Sequence, residues 1–172
     1  MKLNKLIAIA TISLLSGGIS MAQKALNLED IVAGNIIQTK GIGSMTWLKD
    51  GERYSRLENN KQTGGTDIVA YRAKDNSREV IIPSSLLTDK STGRPIPVRS
   101  VSWSADNEKV LIYNNTRRVW RYDTRGDYWV LNLKDGALRQ LGKGMPESSM
   151  MFAKFSPDGT RVAYVSNNNI YV

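Results

Sequence analysis

A short signature recurs along the chain and constrains it more than any other feature. Trp103-Ser104-Ala105-Asp106-Asn107 returns as Phe155-Ser156-Pro157-Asp158-Gly159, and more loosely as Trp47-Leu48-Lys49-Asp50-Gly51. The aromatics stand 56 and then 52 residues apart, and self-similarity at such a period marks a repeat architecture. In each copy an aromatic ends an alternating strand, and an Asp-Gly or Asp-Asn pair reverses the chain. The stretch Val101 to Leu141 shows a whole unit. Val101 to Ser104 alternates apolar and polar, Ala105 to Glu108 carries turn chemistry, and Lys109 to Tyr113 is β-branched and aromatic. Thr116 to Arg121 extends that strand, Tyr122 to Gly126 is expected to turn, and Asp127 to Leu133 runs back. Lys134-Asp135-Gly136 turns again into Ala137 to Leu141. Asp67 to Tyr71 and Asn169 to Val172 supply the return strand in the other copies. Four antiparallel strands joined by short turns form one blade of a β-propeller. The expected class is therefore all-β, with blades at about 43–83 and 99–141 and the start of a third at 151–172. A β-sandwich with similar strand spacing is the competing arrangement.

Blades bury their faces only against neighbours, so two and a half of them do not close a ring. The expectation is an incomplete propeller, the front part of a longer protein, with open sheet edges. The chain has no Cys and no His. That removes the usual zinc sites and every Ser-His or Cys-His catalytic pair, so no catalytic residue, metal ligand or cofactor is assigned. Net charge is +8, from 24 Lys and Arg against 16 Asp and Glu. A basic balance can signal nucleic acid, but here the charges scatter over turns and strand exteriors. Only Arg117, Arg118, Arg121 and Arg125 cluster, and no nucleic-acid partner is assigned.

At the N-terminus, Lys2 and Lys5 precede an apolar run from Leu6 to Leu15 that is too short for a stable bilayer-spanning helix. Ser20 and Ala22 bracket Met21 as a signal peptidase requires. Residues 1–22 thus read as a signal peptide cleaved between Ala22 and Gln23, with a retained N-terminal anchor as the alternative. Export to the periplasm or outside follows, with no membrane span after cleavage. Residues 23–42 form a lead-in, with a short helical turn over Leu28 to Ala33 favoured by Glu29 and Asp30 and ended by Gly34. Glu58 to Gly65 reads as a polar loop, and Leu86 to Pro97 as the connection between blades. Asn114-Asn115-Thr116 spells a glycosylation acceptor but reads as a hairpin loop. Arg125-Gly126-Asp127 spells an integrin tripeptide but reads as a turn.

One constellation stands out, Arg117-Arg118-Val119-Trp120-Arg121-Tyr122. In one reading Trp120 packs between blades while the arginines stack on aromatics or sit in water. In the other, the hairpin projects an arginine whose rigid fork of donors binds a carbonyl or carboxylate. Composition leaves both open.

The run Thr116 to Leu133 resembles the second-blade region of secreted bacterial enzymes of the dipeptidyl peptidase IV family, in the prolyl oligopeptidase clan. Phe155 to Gly159, Val162 to Val165 and Asn168 to Val172 are similar to the next repeat, and Leu26 to Ile31 to the family's lead-in. The resemblance implies an N-terminal β-propeller followed by an α/β-hydrolase domain with a Ser-Asp-His triad. It implies a serine exopeptidase that removes dipeptides with Pro or Ala in second position. Arg121 would reach the substrate and hydrogen-bond a peptide carbonyl, with Trp120 in support, whereas Tyr122 departs from some relatives. Expected partners are such peptides and the hydrolase domain, and the resemblance leaves a homodimer open. This chain alone is expected to be inactive. A non-catalytic periplasmic propeller that binds a protein or glycan shares every feature visible here.

Overall fold

The computed structural model describes residues 27–32, 41 and 43–172. The expected signal peptide, its cleavage between Ala22 and Gln23, and most of the lead-in lie outside the described residues. Within the lead-in, helix α1 spans Leu28–Val32, and the Ile31 N–H donates to the Asn27 carbonyl at 3.3 Å. Its position agrees with the helical turn expected there, whereas Ala33 and Gly34 are not among the described residues.

From Met45 onward the chain is built from strands, and the inner ones bury apolar residues on both faces. The first sheet holds β1 (Met45–Trp47), β2 (Arg53–Asn59), β3 (Thr66–Arg72) and β4 (Arg78–Ile82) in that spatial order. A two-strand hairpin follows, β5 (Thr88–Asp89) with β6 (Arg94–Pro95). The second sheet holds β7 (Ser100–Trp103), β8 (Lys109–Val119), β9 (Tyr122–Asn132) and β10 (Leu138–Gln140), again in sequence order. The third holds β11 (Met151–Phe155), β12 (Val162–Ser166) and β13 (Asn169–Tyr171). All pairings within them are antiparallel. These are propeller blades rather than the two layers of a sandwich.

The packing between blades follows from the pleat. Neighbouring residues of a strand point to opposite faces, so three consecutive buried residues mean cover on both sides. Val110, Leu111 and Ile112 of β8 are all fully buried. Val110 and Ile112 join Ile68, Ile82, Leu87 and Leu131 in one core. Leu111 joins Tyr128, Met150 and Tyr164 in the other. The middle blade is therefore shared between two cores. Trp103 shows what this does to a repeated residue. It packs against the first core, and its indole N–H donates 3.2 Å to Ser55 Oγ of the first sheet. Its counterpart Trp47 is 62% exposed and meets Tyr54 edge-on at 6.0 Å.

The recurring signature closes each β-turn in the same way. Asn107 N–H donates to the Ser104 carbonyl and Gly159 N–H to that of Ser156, both at 2.9 Å. Ser104 Oγ donates to Asp106 Oδ1 at 2.6 Å and accepts from Lys109 N–H at 2.9 Å. Asp106 also accepts from Glu108 N–H at 2.9 Å. Ser156, Asp158, Thr160 and Arg161 repeat this arrangement. In the looser copy Leu48 has no hydroxyl, and Asp50 instead accepts from the backbone N–H groups of Glu52 and Arg53, each at 3.0 Å.

A second repeated device ties each blade to the linker that follows. Asp67 and Asp127 stand at the buried part of β3 and β9 and are 8% and 7% exposed. Asp67 accepts from Ser84 N–H at 2.7 Å and from the Asn60 amide at 3.0 Å. Asp127 accepts from Ser148 N–H at 2.8 Å and from the Asn115 amide at 2.7 Å. Burial pushes the Asp67 carboxyl up, but the hydrogen bonds from Ser84 and Asn60 outweigh it and leave the group below its ordinary value.

Several local expectations are corrected. Tyr122 to Gly126 is not a turn but the first part of β9, and the reversal takes only Trp120 and Arg121, because Val119 pairs with Tyr122. Arg125-Gly126-Asp127 lies inside the same strand, and the Asp127 carboxylate is consumed by its two hydrogen bonds. Gly126 is required there by proximity, since a Cβ would stand 2.6 Å from the Asn114 carbonyl and 2.4 Å from Tyr113 Cε2. Asn114 is in β8, not in a hairpin loop, and at 8% exposure its side chain is closed to glycosylation. Glu58 and Asn59 belong to β2 rather than to a loop. The connection after β4 is ordered by a 3-10 turn at Ser84–Leu87 and the β5–β6 hairpin, with Leu87 and Ile96 buried beneath it.

The Ser104 and Glu108 hydrogen bonds hold the Asp106 carboxyl at about 2, and those from Ser156 and Thr160 hold Asp158 at about 2. A carboxyl lowered by folding stabilises fully above its unfolded value near 3.8 and loses that contribution as pH falls toward 2. The melting temperature is therefore expected to drop between pH 4 and pH 2. Asp106→Asn is expected to flatten that slope. An equal slope in parent and variant would remove Asp106 from the account.

Candidate functional site

The site is built on the extension of β8 and β9. Each strand is 11 residues long. β7 pairs with β8 only from Ser100↔Tyr113 to Trp103↔Val110, and β10 pairs with β9 only from Gln140↔Trp129 to Leu138↔Leu131. Beyond Asn114 and Asp127 the strands are tied once more to the third blade. Gly126 and Met150 exchange backbone hydrogen bonds at 3.0 and 3.1 Å, and Ser148 Oγ donates to the Asn115 carbonyl at 2.6 Å. From there outward the two long strands continue as a two-stranded ribbon. Within it Arg117 lies opposite Arg125, Arg118 opposite Asp123 and Val119 opposite Tyr122. Register shifts on either side of Arg117 bend the ribbon.

Trp120 makes the turn with φ +61°, the left-handed conformation that two-residue hairpins ask of their turn residues. At 93% exposed it does not pack between blades, so the packing reading of this residue is overturned. Asn and Gly reach this conformation cheaply and an aromatic does not. Replacing Trp120 by Gly is accordingly expected to raise stability by about 1 kcal/mol. Trp120→Ala should change it by under about 0.5 kcal/mol, as for other exposed positions. Urea titration of both variants measures this, and a loss of several kcal/mol in either would contradict the exposed placement.

Arg121 is the second residue of the turn and lines a cavity of about 520 Å³ with Arg99, Arg118, Tyr113, Tyr122 and Asp123, and with Ser44 and Ser100. These serines stand just before β1 and at the start of β7, so the cavity joins the ribbon to the first strands of two blades. Asp123 is already engaged. Its Oδ2 accepts from Arg99 Nε at 3.3 Å and lies 3.2 Å from Arg99 Nη2. Tyr113 donates its hydroxyl to the Asp123 carbonyl at 2.9 Å and stacks on Tyr128 with ring centroids 4.7 Å apart. Burial, reinforced by Tyr128 and Asp123, pushes Tyr113 up to about 12, so at neutral pH it is a fixed, uncharged donor. Neither Arg118 nor Arg121 has an ion-pair or hydrogen-bond partner among the described residues.

The cavity is thus lined by arginines and, among the described residues, by no nucleophile–base pair. Among the described residues no group of acidic side chains is arranged to hold a metal ion. Such a site can bind and orient an oxygen acceptor and offers no group for covalent chemistry. Sequence reasoning singled out Arg121 and Trp120 and placed Arg118 in the same cluster. It missed Arg99, Tyr113 and Asp123, which come together only through the β7–β8 and β8–β9 registers.

Residues 104–172 match the family model for the dipeptidyl peptidase IV (DPP IV) N-terminal region. A probable dipeptidyl-aminopeptidase B of Aspergillus terreus is 25% identical over 166 residues, covering 91% of this chain and 18% of the relative. The dipeptidyl aminopeptidase B of Saccharomyces cerevisiae is 27% identical over 152 residues, covering 83% of this chain and 17% of that protein. The chain therefore spans less than a fifth of the length of these relatives. Among solved structures, Porphyromonas gingivalis dipeptidyl peptidase 4 superimposes with a TM-score of 0.61 at 23% identity, over 86% of this chain and 20% of that one. The extended ribbon and its arginines fall within the matched residues, and the chain has the propeller fold of the dipeptidyl peptidase IV N-terminal region.

Proposed function

We propose that this chain is the N-terminal propeller segment of an exported serine exopeptidase of the dipeptidyl peptidase IV family, which removes Xaa-Pro and Xaa-Ala dipeptides from peptide N-termini. The domain reading goes with it: a signal peptide over 1–22, a lead-in over 23–42 and propeller blades from 43. The observation that carries the proposal is Arg121, an arginine whose side chain has no partner among the described residues and which lines a cavity beside the ribbon, inside the family-matched residues.

In this reading Arg121 donates to a carbonyl of the bound peptide and fixes its register. Trp120, exposed at the turn, offers a flat apolar wall beside it. Holding a substrate in register lowers the entropic part of the barrier without taking part in bond making. The Tyr113–Asp123–Arg99 cluster keeps the ribbon at one angle to the blade. The acyl-transfer groups belong to the hydrolase domain of the longer protein, because a chain without His supplies no triad base.

The test is Gly-Pro reporter hydrolysis by the native polypeptide that carries this sequence. Arg121→Ala is expected to raise KM and to lower kcat/KM by roughly tenfold or more, the scale of a lost hydrogen bond to a charged group, with the melting temperature unchanged. Unaltered kinetics would reject the role of Arg121. A native polypeptide without hydrolytic activity would instead favour a non-catalytic propeller that binds a protein or glycan.

A further inference from the structure

The charge balance of the cavity points to what kind of peptide it selects. Among the described residues, three arginines line it, Arg99, Arg118 and Arg121, against one acidic residue, Asp123. Asp123 lies opposite Arg118 in the strand register, the position from which a cross-strand ion pair would form. Its carboxylate goes to Arg99 instead. The remaining lining groups, Ser44, Ser100, Tyr113 and Tyr122, are uncharged hydrogen-bonding side chains. Among the described residues nothing compensates the charges of Arg118 and Arg121, which line the same cavity. A carbonyl occupies one of these forks but neutralises neither. Only an anion does both.

We propose that Arg118 forms an anion subsite beside Arg121, so that the site favours peptides carrying an Asp or Glu side chain over neutral ones of the same shape. The proposal rests on the reading of Arg121 as a peptide-binding residue and names the substrate class of that site. Arg118 acts here as a specificity group and not in catalysis. Its planar fork accepts a carboxylate through two parallel hydrogen bonds, whereas a glutamine amide presents one acceptor and no charge. An exposed pair of this kind is weakened by salt, since the screening length falls from about 10 Å at 0.1 M to about 3 Å at 1 M.

The amidated tripeptides Gly-Pro-Glu and Gly-Pro-Gln differ by one charge and almost nothing in shape. Each is added to the native polypeptide that carries this sequence, and its affinity is read as competition with Gly-Pro reporter hydrolysis. The Glu peptide is expected to bind about fivefold more tightly at low ionic strength, the upper range for an exposed ion pair, and to lose that advantage in 1 M salt. Arg118→Gln should abolish the preference by weakening binding of the Glu peptide, and Arg118→Lys should retain part of it. Equal affinity for the two peptides would overturn the acidic preference and leave the Arg121 reading standing. A preference that survives Arg118→Gln would overturn the role of Arg118. Failure to bind either peptide would overturn both.

Discussion

The double-sided burial of β8 is the constraint on which the rest of this structure depends. Val110 and Ile112 face one core and Leu111 the other, each with essentially no exposed surface. A strand committed on both faces cannot shift by one residue without exchanging the two sets, so its register is fixed by packing rather than by its turns. That fixed register carries through to the ribbon. The pairs Tyr113↔Tyr128 and Asn114↔Asp127 mark the end of the packed blade, and everything beyond them inherits its direction. The candidate site is thus set by a core several residues away from it.

Two polar devices convert that core into a repeating architecture. The Ser–Asp turn satisfies the backbone groups exposed where each blade reverses, and in the first blade, where Leu48 replaces the serine, Asp50 does so alone. The buried Asp at the start of the return strand then receives an N–H from the linker to the next blade, at Ser84 in one case and Ser148 in the other. Blade-to-blade geometry is held by backbone hydrogen bonds to a side chain as well as by apolar contact. This accounts for order in a connection that looks featureless in sequence, where Leu87 and Ile96 are buried and their backbones are bonded at 2.8 Å.

Much of the fold was legible in the residues because the signal is periodic. Aromatic, turn pair and β-branched return strand recur with the chemistry that each position needs, and the sheets follow the repeat. Several of the misreadings share one cause, which is that Gly, Asn and Asp serve two purposes. Gly126 and Asp127 look like a turn pair, but Gly126 is needed for the close approach of Tyr113 and Asn114, and Asp127 for the linker. The true reversal falls on Trp120, a residue type that sequence rules do not place at positive φ. The site was legible only in part. An arginine cluster can be counted in a sequence, but which of its members is neutralised depends on Arg99 and Asp123, 24 residues apart, meeting across the sheet.

The same separation between a committed core and an uncommitted tip suits a ribbon that meets a ligand, because the residues that bind need not hold the fold together. Trp120 and Tyr122 lie exposed, while the groups that orient them are bonded or packed. Native-state hydrogen exchange reads this division directly. The account predicts that the amides of Val110, Leu111 and Ile112 exchange only through global unfolding, while those at Trp120 and Arg121 exchange at rates close to an unfolded chain. If the β8 amides exchanged as fast as those of β1 or β13, the middle blade would not be the element that fixes the ribbon, and the placement of Arg121 would lose its physical basis.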